Sequence, residues 1–346
     1  MSKKPITVSI LATPHTTASN LYGLFDLFNS VGFGWENIVF DRPADPKFEV
    51  RIVAAEGKPF LCAGNVPVSP HCSVEDVPET DIALVASMNV PTITPPKNHD
   101  ERELIWLKQQ HSRGAIIAAA CTGAIMLAET GLLDGCEATL HWAYREMFQN
   151  HYPEVLLRIN ENLCVSGQDS RIVTSGGATA WEELALYLVT QACGVEQAAQ
   201  TAKFWLIPYR EESQAPFAVM NRTPLHDDGV IQKCQEWMAG HYENPNPVAA
   251  MIEQSGFPPT TFARRFKQAT GYRAMDYVHT LRVEEAKEML ENGMEAIDKI
   301  GRDVGYEDPA SFRRIFKRKV SLTPSSYRRR FGRRRFETFE MLSRLP

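Results

Sequence analysis

The stretch 114-GAIIAAACTGAIMLAETG-131 decides how the first half of this 346-residue chain reads. Residues 114 to 120 are a short run of small and branched apolar side chains, which suits a strand better than a helix. Beyond Cys121, the residues Thr122, Gly123 and Ala124 open an apolar pattern with helical spacing that closes at Gly131. A strand passing at once into a helix is the working unit of an α/β fold, and it sets Cys121 at the elbow.

The same alternation extends on both sides. Further strand candidates are ITVSILA (6–12), FEVRIVAA (48–55), DIALVAS (81–87), EATLHW (137–142), LCVSG (163–167) and RIVTSG (171–176). Between them lie helical patterns such as NLYGLFDLFNSV, HDERELIWLKQQHSR and AWEELALYLVTQACG. We therefore expect a flavodoxin-like, mostly parallel sheet sandwiched by helices over residues 1–207. From about residue 226 the strand signal disappears, and helices punctuated by Gly and Pro follow. This second grammar predicts an all-α domain over 228–332 with a tail at 333–346. The polar stretch PYREESQAPFAVMNRTPLHDD, broken by Pro208, Pro216 and Pro224, is the expected linker (208–227), with the boundary near 222.

Bulk properties narrow the function classes. A chain this long exceeds what one core usually serves. No apolar run approaches the ~20 residues of a membrane helix, and the N-terminal ITVSILA is short and alternating, more strand than signal peptide. The seven cysteines (62, 72, 121, 136, 164, 193, 234) form no CxxC pair and are odd in number, which fits a reducing cytoplasm; neither metal nor cofactor is expected. The net charge of −5 conceals an asymmetry: residues 1–225 carry 16 basic against 25 acidic side chains, and residues 226–346 carry 21 against 17. Between 260 and 335 the excess sharpens to 19 against 10, the mark of a module for a polyanion.

That basic region contains an internal repeat. GFPPTTFARRFKQATG (256–271) echoes GYEDPASFRRIFKRKVS (305–321), and from Phe262 onward the match holds at an offset of 50: Phe262 with Phe312, Arg264 with Arg314, Phe266 with Phe316, Lys267 with Lys317, Tyr277 with Tyr327. PVAAMIEQSG and AIDKIGRDVG precede the copies as short amphipathic helices ending at Gly256 and Gly305, where a turn needs left-handed backbone. Asp308 is placed to cap the next helix in the second copy, whereas Pro258 holds that position in the first and leaves no side-chain cap. With the phenylalanines inward, Thr260, Thr261, Arg264, Lys267 and Gln268 face outward in the first copy. Ala310, Arg313, Arg314, Lys317 and Arg318 do so in the second. Both faces suit a major groove, where Arg reads guanine, Thr or Ala meets a thymine methyl, and flanking cations grip phosphate. AMDYVHTLRVEEAKEMLENG between them predicts a helical rod of about 18 residues, ~27 Å, able to hold two recognition helices about one DNA turn apart.

Residues from about 228 to 331 resemble the AraC/XylS family of DNA-binding domains, carried by VGYEDPASFRRIFKRKVSLTPSSYRRRF. The resemblance implies two helix-turn-helix motifs that bind double-stranded promoter DNA, most often as an activator. Ser321 stands where that family usually has glycine.

The elbow itself leaves two readings open. A thiol at a helix N-terminus, beside free backbone N–H groups, can act as a nucleophile. Equally, cysteine is a small, commonly buried residue that a crowded elbow accepts. Residues 6–200 resemble the class I glutamine amidotransferase-like, PfpI-type domain, through ACTGAIMLAETGLLDGCEATLHW (120–142) and VTSGGATAWEELALYLV (173–189). The whole chain thus resembles GlxA-type transcriptional regulators. Cys121 matches the family's elbow nucleophile; Thr122 stands where the protease-like branch has histidine, although Cys-Thr-Gly also occurs in the isonitrile hydratase branch. His141 falls where some relatives place a histidine near the cysteine, whereas Asn20 replaces the usual carboxylate and cannot serve as a general base. Ser87, Met88 and Asn89 stand where active relatives tend to have glycines. The expectation is a non-enzymatic pocket lined by Asn20, Asn89, Cys121, Thr122, His141, Gly176 and Gly177 that senses a small-molecule effector, in a homodimeric cytoplasmic regulator that meets promoter DNA and RNA polymerase. The alternatives are a cysteine-dependent hydratase or hydrolase using Cys121, and a first domain that only dimerises.

Overall fold

The computed structural model describes residues 4–42, 45–96, 99–208, 213–220 and 226–333. The expected tail beyond Arg333 and the linker positions 209–212 and 221–225 lie outside the described residues. The chain divides into two compact units, Met1–Gln214 and Ala215–Pro346.

The first unit is built on a seven-stranded sheet: β1 (Ile6–Leu11), β2 (Phe48–Ala54), β3 (Cys72–Ser73), β4 (Ile82–Val85), β5 (Ile116–Ala120), β6 (Leu163–Ser166) and β7 (Ile172–Ser175). The order is β6-β7-β5-β4-β1-β2-β3, parallel throughout except for β6, which runs antiparallel to β7. The helices are α1 (Ala18–Ser30), α2 (Gly34–Phe40), α3 (Glu101–Ser112), α4 (Gly123–Glu129), α5 (Arg145–His151), α6 (Trp181–Cys193) and α7 (Val195–Phe204).

Strand alternation divides the core between the two faces of the sheet. Leu11, Val85, Ile117 and Ala119 pack with Leu107 of α3 and Ile125 of α4. Val8, Ile10, Leu84, Ala118 and Ala120 pack with Leu24 of α1 and Leu188 of α6. Because β5 is central and covered on both faces, Ala118, Ala119 and Ala120 are wholly buried, which accounts for its small side chains. One expected strand differs: of residues 137–142 only Glu137–Ala138 is extended, pairing with Leu156–Leu157 in a ribbon apart from the main sheet. The main-sheet position beside β7 is already taken by β6, and the Thr139 N–H instead bonds to the Thr174 hydroxyl on β7.

Chain order reverses at β1. From there the chain runs outward to β2 and β3, then returns to β4 on the other side. At such a switch point the loops leaving neighbouring strands part, and a crevice opens at their carboxyl ends. The loops concerned follow β1, β4 and β5, and the last carries Cys121.

The second unit is helical: α8 (Gly229–Ala239), α9 (Pro247–Ser255), α10 (Pro259–Thr270), α11 (Ala274–Asn292), α12 (Ile297–Asp303), α13 (Pro309–Val320) and α14 (Pro324–Phe331). It has two cores that share α11. Ile231, Met251, Phe262, Phe266, Tyr277, Val278 and Leu281 form one, and Val283, Ala286, Leu290, Ile300, Phe312, Phe316 and Tyr327 the other. Burying each such side chain contributes about 1.5–3 kcal/mol. The sequence repeat is a repeat of packing: Phe266 meets Tyr277 edge-on at 5.4 Å, and Phe316 meets Tyr327 edge-on at 5.7 Å.

Candidate functional site

In each helix-turn-helix a glycine with left-handed backbone follows the first helix, Gly256 at the C-cap of α9 (φ +68°) and Gly305 one residue past the Val304 C-cap of α12 (φ +91°). At Gly305 space adds a second requirement, since a Cβ would lie 2.8 Å from Arg282 Nη2 and from the Glu243 carbonyl oxygen. Phe262, Phe266, Phe312 and Phe316 are fully buried. Thr260, Arg264, Lys267 and Gln268 on α10, and Ala310, Arg313, Arg314, Lys317 and Arg318 on α13, are exposed, with Thr261 half-buried. Their helical spacing gathers each set on one face of its helix. Arg313 is held by an ion pair with Asp298 of α12. Sequence reasoning missed two further arginines. Arg265 makes a forked pair with Asp228, which caps α8 (2.9 Å to each carboxylate oxygen), and lies over Phe257. Arg282 is buried, donating to the Tyr242 and Asn244 carbonyls at 2.7 and 2.8 Å beneath the Tyr306 ring. Their partners lie 37 to 40 residues away, beyond any local pattern.

At the elbow, Cys121 is buried and adopts φ +54°, a left-handed conformation unusual for a side-chain-bearing residue. Its N–H donates to the Ser175 carbonyl (3.1 Å). Thr122 is saturated: its hydroxyl donates to the Met88 carbonyl (2.5 Å) and lies 2.8 Å from the Met88 N–H that donates to it and 3.2 Å from Ser87 Oγ. That network pins the β4 loop against the elbow. Gly123 must be glycine here, because a Cβ would fall 2.7 Å from the Val85 carbonyl oxygen.

Asn20, 3% exposed, accepts from the Ser87 N–H through Oδ1 (2.7 Å), while its Nδ2 has no partner. The buried Ser175 Oγ is likewise unpartnered. Asn89 is exposed, and its N–H bonds to the His15 carbonyl. His141 caps a short turn by accepting the Ala143 N–H at Nδ1 (3.2 Å). Burial holds its pKa below the usual histidine value. Tyr144 bonds to the Val90 carbonyl (2.8 Å), and its pKa is raised by burial and by the nearby Cys121 thiol. Gly176 and Gly177 are covered by Gln214 and His141. Among the described residues no group of His, Cys, Asp and Glu is arranged to hold a metal, and no helix is long and apolar enough to cross a membrane.

Two family models match this chain: the DJ-1/PfpI family over residues 24–191 and a helix-turn-helix domain over residues 251–330. The HTH-type transcriptional regulator CdhR of Pseudomonas aeruginosa is 27% identical over 282 residues, 80% of each chain. The HTH-type transcriptional regulator GlxA of Rhizobium meliloti is 26% identical over 228 residues, 65% of this chain and 69% of the relative. The chain therefore joins a DJ-1/PfpI domain to an AraC-type helix-turn-helix domain, the same pairing as in these regulators. Isonitrile hydratase of Pseudomonas putida, 25% identical over 192 residues, shares the first domain alone, covering 55% of this chain and 74% of the relative.

Within the DJ-1/PfpI fold of this chain, the chemistry around Cys121 can be weighed atom by atom. A general base needs a free lone pair facing the proton it takes. His141 has none: Nδ1 is engaged by a backbone N–H, so the neutral ring carries its proton on Nε2. No carboxylate contributes to its shifted pKa, and no hydrogen bond joins it to Cys121 among the described residues. What the elbow does offer is two unused buried polar groups, Asn20 Nδ2 and Ser175 Oγ, at the ends of the parallel strands.

Proposed function

We propose that this chain is a sequence-specific, DNA-binding transcriptional activator whose DJ-1/PfpI domain senses a small metabolite. The observation that carries the reading is the pair of recognition helices, α10 and α13, each with two buried phenylalanines on one face and exposed Arg and Lys on the other, beside Thr and Gln on α10 and Ala on α13. In this reading the chain works as a cytoplasmic homodimer that meets RNA polymerase at promoter DNA. Its effector is an amine or amino-acid derivative held near Asn20, Cys121 and His141.

The test is binding of the full chain to an operator selected from a random duplex library, measured against salt. Releasing counterions makes affinity fall steeply as salt rises, and Arg314→Ala should lower specific affinity about 5- to 150-fold, the equivalent of 1–3 kcal/mol. Binding indifferent to both would sink the reading. A thermal-shift screen of small metabolites on the full chain tests the sensor, since a ligand that binds only the folded state must stabilise it.

The left-handed elbow at Cys121 and the isonitrile hydratase relative favour a second reading, a Cys121-dependent hydratase or hydrolase. It predicts rapid, stoichiometric labelling of Cys121 by a small electrophile near neutral pH. Labelling no faster than that of an ordinary thiol would remove it.

A further inference from the structure

Gln214 is the last residue of the first unit, and its side chain is only 5% exposed. Its carboxamide satisfies both ends at once. Oε1 accepts the Gly177 N–H (2.8 Å), while Nε2 faces the carbonyls of Leu140 (2.9 Å), Ile159 (3.0 Å) and Glu161 (3.1 Å) and the Thr139 hydroxyl (3.3 Å). Its backbone N–H adds a bond to the Asn160 carbonyl (3.0 Å). One side chain from a stretch that reads as linker thus gathers three separate segments of the domain.

The two glycines make room for it. A Cβ on Gly176 would lie 2.5 Å from Gln214 Nε2. A Cβ on Gly177 would lie 3.1 Å from Gln214 Oε1 and 2.5 Å from His141 Cδ2, so Gly177 is sandwiched between the amide and the imidazole. Both segments lead directly to the elbow. Ser175, adjacent to Gly176, accepts the Cys121 N–H. His141, adjacent to Leu140, meets Tyr144 edge-on with ring centroids 6.1 Å apart, and burial and the nearby Cys121 thiol raise the Tyr144 pKa.

We propose that Gln214 is a latch, tying the segment that leads to the DNA-binding unit to both walls of the elbow site, and that occupancy of the elbow releases it. The proposal rests on the sensor reading above. Close packing supplies the coupling: a group lodged beside Cys121 that displaces the His141 ring must press on Gly177, and Gly177 has no slack against Gln214. None of these bonds belongs to a strand ladder, and each is worth only about 0.5–1.5 kcal/mol net once water replaces the departing amide, so the latch can open without unfolding the sheet.

The test uses methyl methanethiosulfonate as the occupant, placing a thiomethyl group on Cys121 of the full chain, with hydrogen exchange read at Gly177 and across residues 213–217. A Cys121→Ser chain treated in parallel removes the contribution of the other cysteines. Modified wild-type protein should exchange at least tenfold faster in 213–217 than unmodified protein. Gln214→Ala should exchange at the fast rate before modification and gain nothing from it. Gln214→Glu, which keeps side-chain length and the Gly177 acceptor but sets a carboxylate against three carbonyls, should do the same while retaining native circular dichroism. Slow exchange in either variant, or no acceleration in the modified wild type, overturns the latch. A metabolite that stabilises the chain without altering exchange at 213–217 would leave the sensor standing and the latch refuted.

Discussion

The two helix-turn-helix copies solve one packing problem with different local chemistry. In both, a phenylalanine pair on the recognition helix packs on a tyrosine at the shared offset of fifty, Tyr277 of α11 in the first copy and Tyr327 of α14 in the second. The ends of the helices differ. α13 starts at Asp308, whose carboxylate accepts the N–H groups of Ala310 (3.0 Å) and Ser311 (2.9 Å). α10 starts at Pro258 with no side-chain cap. Conversely, α10 ends at Gly271 (φ +75°), whereas α13 ends at Ser321, which takes φ +61° against its preference. The outward faces differ as well, Thr and Gln beside two cations on α10 against four cations on α13. The lesson is that the buried aromatic frame sets the fold, while caps and surface residues are free to diverge and to divide the work on DNA. Under the proposed function, the first copy would read base edges and methyl groups and the second would grip phosphate and guanine.

The largest effects should fall on what the copies share. Phe266→Ala and Phe316→Ala remove equivalent, fully buried rings, and each should cost about 3–5 kcal/mol in denaturant unfolding. Values differing by more than about 2 kcal/mol would mean the two cores are not equivalent, against the repeated geometry.

The next effects should separate the copies. Lys317→Ala should weaken binding to all sequences alike and reduce the salt slope by about one, whereas Thr260→Ala should act mainly on sequence preference. The Arg313–Asp298 pair withholds one cation of α13 from phosphate, so Asp298→Asn should raise affinity and steepen the salt dependence by about one unit of slope. Both are read from affinity against salt concentration. A uniform response in the two copies would refute the division of labour.

How much of this was legible depends on where the determining contacts lie along the chain. The repeat, its inward phenylalanines and the caps at Asp308 and Pro258 are local, and periodicity exposes them. The elbow is local too, since three alanines followed by Cys-Thr-Gly admit little else at a central strand. Residues 137–142 read as a strand of the sheet because alternation cannot tell a main-sheet strand from a short separate ribbon. Gln214 was invisible for a stronger reason. Polar residues between prolines read as linker, and its side-chain partners lie 37 to 75 residues upstream. The same distance hid the Asn20 to Ser87 bond, 67 residues apart, which turns one substituted residue into a structural strut with a spare donor.

Among the smaller effects, Asp308→Ala should cost about 1 kcal/mol, the usual value of an N-cap, and Pro258→Ala should cost less because no side-chain bond is lost there. Thermal unfolding of the full chain, following the transition of the helical unit, distinguishes them.

The smallest effect sharpens the comparison most. Ser321→Gly would give α13 the terminus that α10 already has at Gly271. A side-chain-bearing residue in left-handed backbone costs about 1–2 kcal/mol, and glycine relieves it. Glycine also increases the freedom of the unfolded chain by about 0.5–1 kcal/mol, which opposes the gain. The balance is a net stabilisation of at most about 1.5 kcal/mol, with DNA affinity unchanged because Ser321 is the C-cap of α13, beyond the residues proposed to read DNA. A matched Gly271→Ser should move the first copy the opposite way by a similar amount. If both substitutions destabilise, the C-terminal turn of α13 is held by the serine itself, and the two copies differ in how that turn is built and not only in how it is strained.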